Sequence, residues 1–116
     1  MKKNLFMLLL ALTLLLLCGC TTDLTGMSYS EIEAFIAENP NKKVTYTVTI
    51  TGDTYPLEIT NEDTEASCTL TQVDSLVAQA EYLQHLTKLW FANDTMDADS
   101  YAALRAAFPN AELFYP

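Results

Sequence analysis

Fifteen acidic side chains against six basic ones in 116 residues give a formal charge of −9, a surface that repels phosphate backbones and anionic lipid headgroups. That balance argues against nucleic-acid binding and against electrostatic docking on a membrane, and three glycines leave no room for a glycine-rich phosphate loop. The length allows one small domain and is too short for two.

The chain opens MKKNLFMLLLALTLLLLCGC. Lys2 and Lys3 precede an apolar run from Leu5 to Leu17 broken only by Thr13, which reads as a secretory leader and is shorter than the ~20 residues a bilayer span needs. The leader ends Leu17-Cys18-Gly19-Cys20. This resembles the lipobox of bacterial lipoproteins, in which an aliphatic residue stands three before the modified cysteine and a small residue directly before it. The resemblance implies that residues 1–19 are removed as a signal peptide and that Cys20 carries a diacylglycerol and palmitate-type acyl anchor. That anchor would hold the mature chain on the extracytoplasmic face of the cell membrane. Cys18 suits the acceptor role less well, because Leu17 would then fill the small-residue position. Two acyl chains suffice for stable anchoring. The mature chain, 97 residues from Cys20, keeps all fifteen acids but only Lys42, Lys43, Lys88 and Arg105, for a net charge of −11. Only Cys68 then remains as a thiol, so no internal disulfide can form and packing must hold the fold.

Residues 20–27 read as a lipidated tether and residues 28–116 as the folded domain. Ser28-Tyr29-Ser30-Glu31 is a helix-capping pattern, followed by Ile32, Phe35 and Ile36 at the spacing of one helix face; Pro40 stops that helix. Val44 to Thr51 alternates apolar and threonine residues without a miss and predicts a strand. Gly52-Asp53 reads as a tight reversal into a returning strand with Tyr55, Leu57 and Ile59, placed at an edge by Pro56. Asn61 to Glu65 reads as an acidic turn and Cys68 to Leu70 as a short strand. Thr71 and Asp74 suggest a cap for a helix whose inner face is Val73, Leu76, Val77, Ala80 and Leu83. A strand at Lys88 to Ala92 follows, then a helix capped by Asp97 with the stripe Tyr101, Leu104 and Phe108. The last strand, Glu112 to Tyr115, should turn Leu113 and Tyr115 inward.

Residues 27–46 align with 96–115 at an offset of 69, sharing Met27/Met96, Ala34/Ala103, Ala37/Ala106, Pro40/Pro109, Asn41/Asn110 and Tyr46/Tyr115. A helix, a Pro-Asn stop and a strand occurring twice indicate repeated supersecondary units. Leu83-x-x-Leu86-x-x-Leu89-x-Phe91 followed by Asn93-Asp94 resembles the strand portion of a leucine-rich repeat. The family's asparagine position falls on Asp94, with Asn93 one residue early. The resemblance implies an α/β fold: a small leucine-rich-repeat-like stack of strand-helix units with an N-terminal helix and a β-hairpin, its mixed sheet carrying helices on one face.

Chemistry-bearing clusters are sparse. Cys68 and His85, the sole histidine, form a conceivable nucleophile-base pair, but Cys68 has the pattern of an inward strand position and nothing orients the imidazole. Zinc would want a cluster of His and Cys ligands, and a calcium loop at Asp94, Asp97 and Asp99 would want a glycine and a distal glutamate. No cofactor, metal or catalytic group is therefore expected. In the strand phase that buries the leucines, Lys88 and Trp90, with Glu112 and Phe114 on the next strand, point outward. They suit the capture of a protein or glycan partner, or else pack beneath the hairpin. The resulting expectation is a non-enzymatic, membrane-anchored lipoprotein that serves as an interaction module. The alternative is an envelope or periplasmic accessory factor, an inhibitor or assembly subunit, working through its acidic helical face.

Overall fold

The structure, a computed structural model, describes residues 21–92 and 95–116. Residues 1–20, which hold the expected leader and Leu17-Cys18-Gly19-Cys20, and Asn93 and Asp94 lie outside the described residues. The fold is mixed α/β and forms two compact units that divide after Tyr46.

In the first unit a short strand β1 (Thr22–Asp23) leads into helix α1 (Tyr29–Glu38) and a parallel strand β2 (Val44–Thr45). Thr22 pairs with Val44 and Asp23 with Thr45. The ladder is extended by Thr22 N–H to Lys43 O at 2.9 Å and Leu24 N–H to Thr45 O at 2.7 Å. Ser28 caps α1 as its spacing predicts: Ser28 Oγ accepts from the Glu31 amide at 3.3 Å and donates to Glu31 Oε1 at 2.8 Å. Ile32 and Phe35 are buried, whereas Ile36, expected on the same face, is 43% exposed. Asn39 closes the helix with its backbone and side-chain N–H groups on the carbonyl of Phe35, and Pro40 cannot continue it.

The second unit begins with the antiparallel hairpin β3 (Thr47–Ile50) and β4 (Leu57–Thr60). The unbroken alternation of residues 44–51 is thus shared between two sheets, with Tyr46 between them, because alternation specifies which side chains face inward and not which strand pairs alongside. Tyr46, Val48 and Ile50 keep the inward phase. The turn is longer than the tight reversal expected: Ile50 pairs with Leu57, so residues 51–56 connect the strands and Tyr55 is 82% exposed. Gly52 takes φ +113°, and a Cβ there would stand 2.1 Å from the Thr71 carbonyl oxygen, so this position requires glycine.

Strands β5 (Glu65–Ser67), β6 (Lys88–Trp90) and β7 (Glu112–Phe114) form a parallel sheet in chain order. Ala66, Leu89 and Leu113 are in register, successive spacings of 23 and 24 residues. Between β5 and β6 run a 3-10 turn (Leu70–Gln72), helix α2 (Val73–Ala78) and a second 3-10 turn (Ala80–Leu83); between β6 and β7 runs helix α3 (Ala98–Ala107), which packs against α2. The strand expected at Cys68 to Leu70 lies three residues earlier. Cys68 is nonetheless buried and continues the ladder through its N–H to Trp90 O at 2.7 Å. The first cap falls at Thr69, whose N–H meets Gln72 Oε1 at 3.0 Å, not at Thr71. Val73, Leu76 and Leu83 are buried, while Val77 is 36% exposed. Leu83, Leu86, Leu89 and Phe91 are all at or below 2% exposure, so the leucine spacing does mark the core. In α3, Leu104 and Phe108 are buried but Tyr101 is 42% exposed, and Tyr115 is exposed as well.

The sequence repeat is a repeat of local structure. Helices α1 and α3 both have ten residues at the offset of 69. Ser28 and Asp97 occupy the same cap position, each accepting from the amide three residues on. Asn39 N–H to Phe35 O is matched by Phe108 N–H to Leu104 O, and Lys42 N–H to Asn39 O by Ala111 N–H to Phe108 O. The copies differ in how the remaining carbonyls are met. Asn39 serves the first, whereas Arg105 serves the second, its guanidinium donating to Ala111 O at 2.6 Å and Pro109 O at 2.8 Å.

Candidate functional site

In β6 the central Leu89 is fully buried, which turns Lys88 and Trp90 to the opposite face, where both are half-buried. Parallel pairing then builds two cross-strand rows. Glu65, Lys88 and Glu112 form one; Ser67, Trp90 and Phe114 form the other. Neighbouring strands lie about 4.8 Å apart, so two rings in register can lie face on face. Trp90 and Phe114 do so, with centroids 4.1 Å apart and planes 14° from parallel. Lys88 Nζ stands 5.9 Å from the Phe114 ring centroid, within cation–π range. Across the other strand Trp90 Nε1 donates to Glu65 Oε1 at 2.9 Å, which fixes both the indole and the carboxylate.

Trp90 divides two open hollows. On the β7 side, about 380 Å³ is lined by Trp90, Ala92, Leu113, Phe114, Tyr115 and Pro116; on the β5 side, about 290 Å³ is lined by Glu65, Ala66, Ser67, Trp90 and Ala92. Tyr115 also meets Tyr101 edge to face at 6.1 Å and 77°. The structure thus brings together Lys88, Trp90 and Phe114 of the expected set. Glu112 is exposed and stands opposite Lys88 in the register.

Glu65 and Ser67 were not legible as site residues, because the sequence around them reads as an acidic turn. The inward residue of β5 is Ala66 where β6 has Leu89, so the strand lacks the apolar bulk that would announce it. The spacing of 23 residues back from Leu89 is the signal that points to it. Tyr115, expected inward, instead adds to the wall of the β7-side hollow.

The conceivable nucleophile and metal ligands have other duties. Burial pushes the Cys68 thiol up to about 12, so it stays protonated and unreactive at neutral pH. His85 Nε2 lies 2.9 Å from the Thr60 carbonyl oxygen. Both carboxylate oxygens of Asp97 cap α3, accepting from Ser100 N–H at 2.7 Å and Ser100 Oγ at 2.9 Å, and these bonds lower its pKa. Asp94 lies outside the described residues. Among the described residues no group of three or more His, Cys, Asp or Glu is placed to hold a metal ion, and no helix is long and apolar enough to cross a membrane. No protein-family model, curated protein or solved structure matches the chain.

Proposed function

We propose that the chain is an exported lipoprotein, anchored through Cys20, whose small leucine-rich-repeat-like domain docks a partner on the outward face of its parallel sheet without catalysing a reaction. The observation that carries this reading is the Trp90–Phe114 stack. Two large rings occupy the outward phase of adjacent strands, and among the described residues open hollows border them. Rigid aromatic surface of this kind gives large contact area at low entropic cost, the usual make-up of an interaction hot spot. Strands 23 and 24 residues apart, paired in chain order through helical crossovers that pack together, support the repeat-like stack. An acidic exterior suits a protein held by its lipid rather than by charge.

Two measurements test the reading. Cys20→Ala should accumulate uncut precursor that incorporates no labelled fatty acid, while Cys18→Ala should process normally; persistent labelling of the Cys20 variant removes the lipoprotein assignment. For the face, Trp90→Ala and Phe114→Ala should abolish site-specific crosslinks formed from Lys88, whereas charge reversal of the exposed Glu31 and Glu33 on α1 should not. The opposite pattern would move the working surface to the acidic helical face.

A further inference from the structure

The two sides of Trp90 differ in charge. On the β7 side the ring is covered by Phe114, and Lys88 already places an ammonium over that half. On the β5 side the register partner of Trp90 is Ser67, too small to continue the stack, and among the described residues Ser67 and Ala92 leave the hollow open. There the indole meets the Glu65 carboxylate. Its Oε1 accepts from Trp90 Nε1, a bond that enriches the ring's π-cloud and holds the carboxylate beside it. A π-face beside a fixed carboxylate is the arrangement that binds a cation, and a planar guanidinium fits it best, stacking on the indole while donating to the carboxylate. The whole chain, at −9, steers positive charge toward it. A neutral sugar would also stack on the ring, but would draw nothing from that field.

Resting on the reading of this face as a docking surface, we propose that the hollow between Glu65 and Trp90 receives an arginine side chain from a basic segment of the partner protein. Lys88, over Phe114, directs the incoming cation to the β5 side and disfavours a second one on the β7 side.

Trp90 is the sole tryptophan of the chain, so its emission reports on this hollow directly. The full chain in a neutral-headgroup detergent is titrated with an end-capped tetra-arginine peptide, and separately with a neutral chitin oligosaccharide. The expected result is a saturable change in Trp90 emission with the peptide, weakened about fivefold or more by Glu65→Gln and by raising salt from about 0.05 M to about 0.5 M. Glu33→Gln, which removes the same charge from an exposed site on α1, should leave the affinity unchanged. Equal weakening by both variants would show mere attraction to net charge and overturn the proposal. An unchanged emission with the peptide would overturn it too. In that event the oligosaccharide distinguishes the failures: if it perturbs Trp90, the face binds glycans and only the arginine assignment falls; if neither ligand does, the docking reading falls with it.

Discussion

Trp90 and Phe114, 24 positions apart in the chain, lie ring on ring because β6 and β7 pair in parallel at that register. Their neighbours Leu89 and Leu113 face the other way, one fully buried and the other half-buried. The contrast between the two faces of one strand is measurable. Leu89→Ala should cost roughly 2–5 kcal/mol in chemical denaturation, since it leaves a cavity. Phe114→Ala should cost only about 1 kcal/mol, the worth of an open aromatic pair, and leave unfolding cooperative. A Phe114 loss as large as that of Leu89 would make the stack part of the core rather than a surface.

The hairpin connection offers a sharper test. At Gly52 an added Cβ meets the Thr71 carbonyl oxygen at 2.1 Å, and φ +113° is strained for any side chain. Gly52→Ala should therefore destabilise by more than about 2 kcal/mol, with the damage passing to the turn that opens α2. Wild-type stability in this variant would mean that the 51–56 connection does not approach Thr71.

Cys68 sets a pH dependence at the alkaline end. Its thiol is pushed from 9.0 to about 12 by burial, so the native state holds the proton more tightly than the unfolded chain. The sign follows: this contribution is intact below pH 9 and is lost as pH rises toward 12. Native protein at neutral pH should resist iodoacetamide until denaturant is added. Removing the thiol in Cys68→Ala should flatten the alkaline fall in stability, although the small cavity lowers stability at every pH. Rapid native labelling would contradict the burial.

The two copies of the helix unit are capped by chemically different residues, which separates them at low pH. Ser28→Ala should cost about 1 kcal/mol at neutral pH, and the bond its hydroxyl accepts from the Glu31 amide does not depend on ionisation of the cap itself. Asp97 has a pKa held below 3.8 by its bonds to Ser100. Its stabilisation is present above 3.8 and is lost as pH falls below that value through its lowered native pKa. Circular dichroism during acid titration should show an Asp97→Ser variant less acid-sensitive than wild type; identical curves would rule out a capping carboxylate at this position.

Local chemistry written within a few residues was readable directly. Ser28 and Asp97 as caps, the Pro-Asn stops, the leucine spacing of 83–91 and the inward phase of Tyr46, Val48 and Ile50 all depend on neighbours in the chain, and each stands in the structure where the sequence put it. The offset of 69 likewise announced two helices of equal length with the same closing turn. Pairing is a different matter, because strand partners are chosen by contacts between residues far apart in sequence. Nothing within 44–51 says that its first half joins β1 and its second half β4. Nothing in Glu-Ala-Ser declares a strand until Leu89 supplies the partner for Ala66. The candidate site follows the same division. Trp90 and Phe114 were visible from strand phase, but the Glu65 carboxylate, the covered and open sides of the indole and the two hollows exist only through the parallel register, which tertiary packing alone decides.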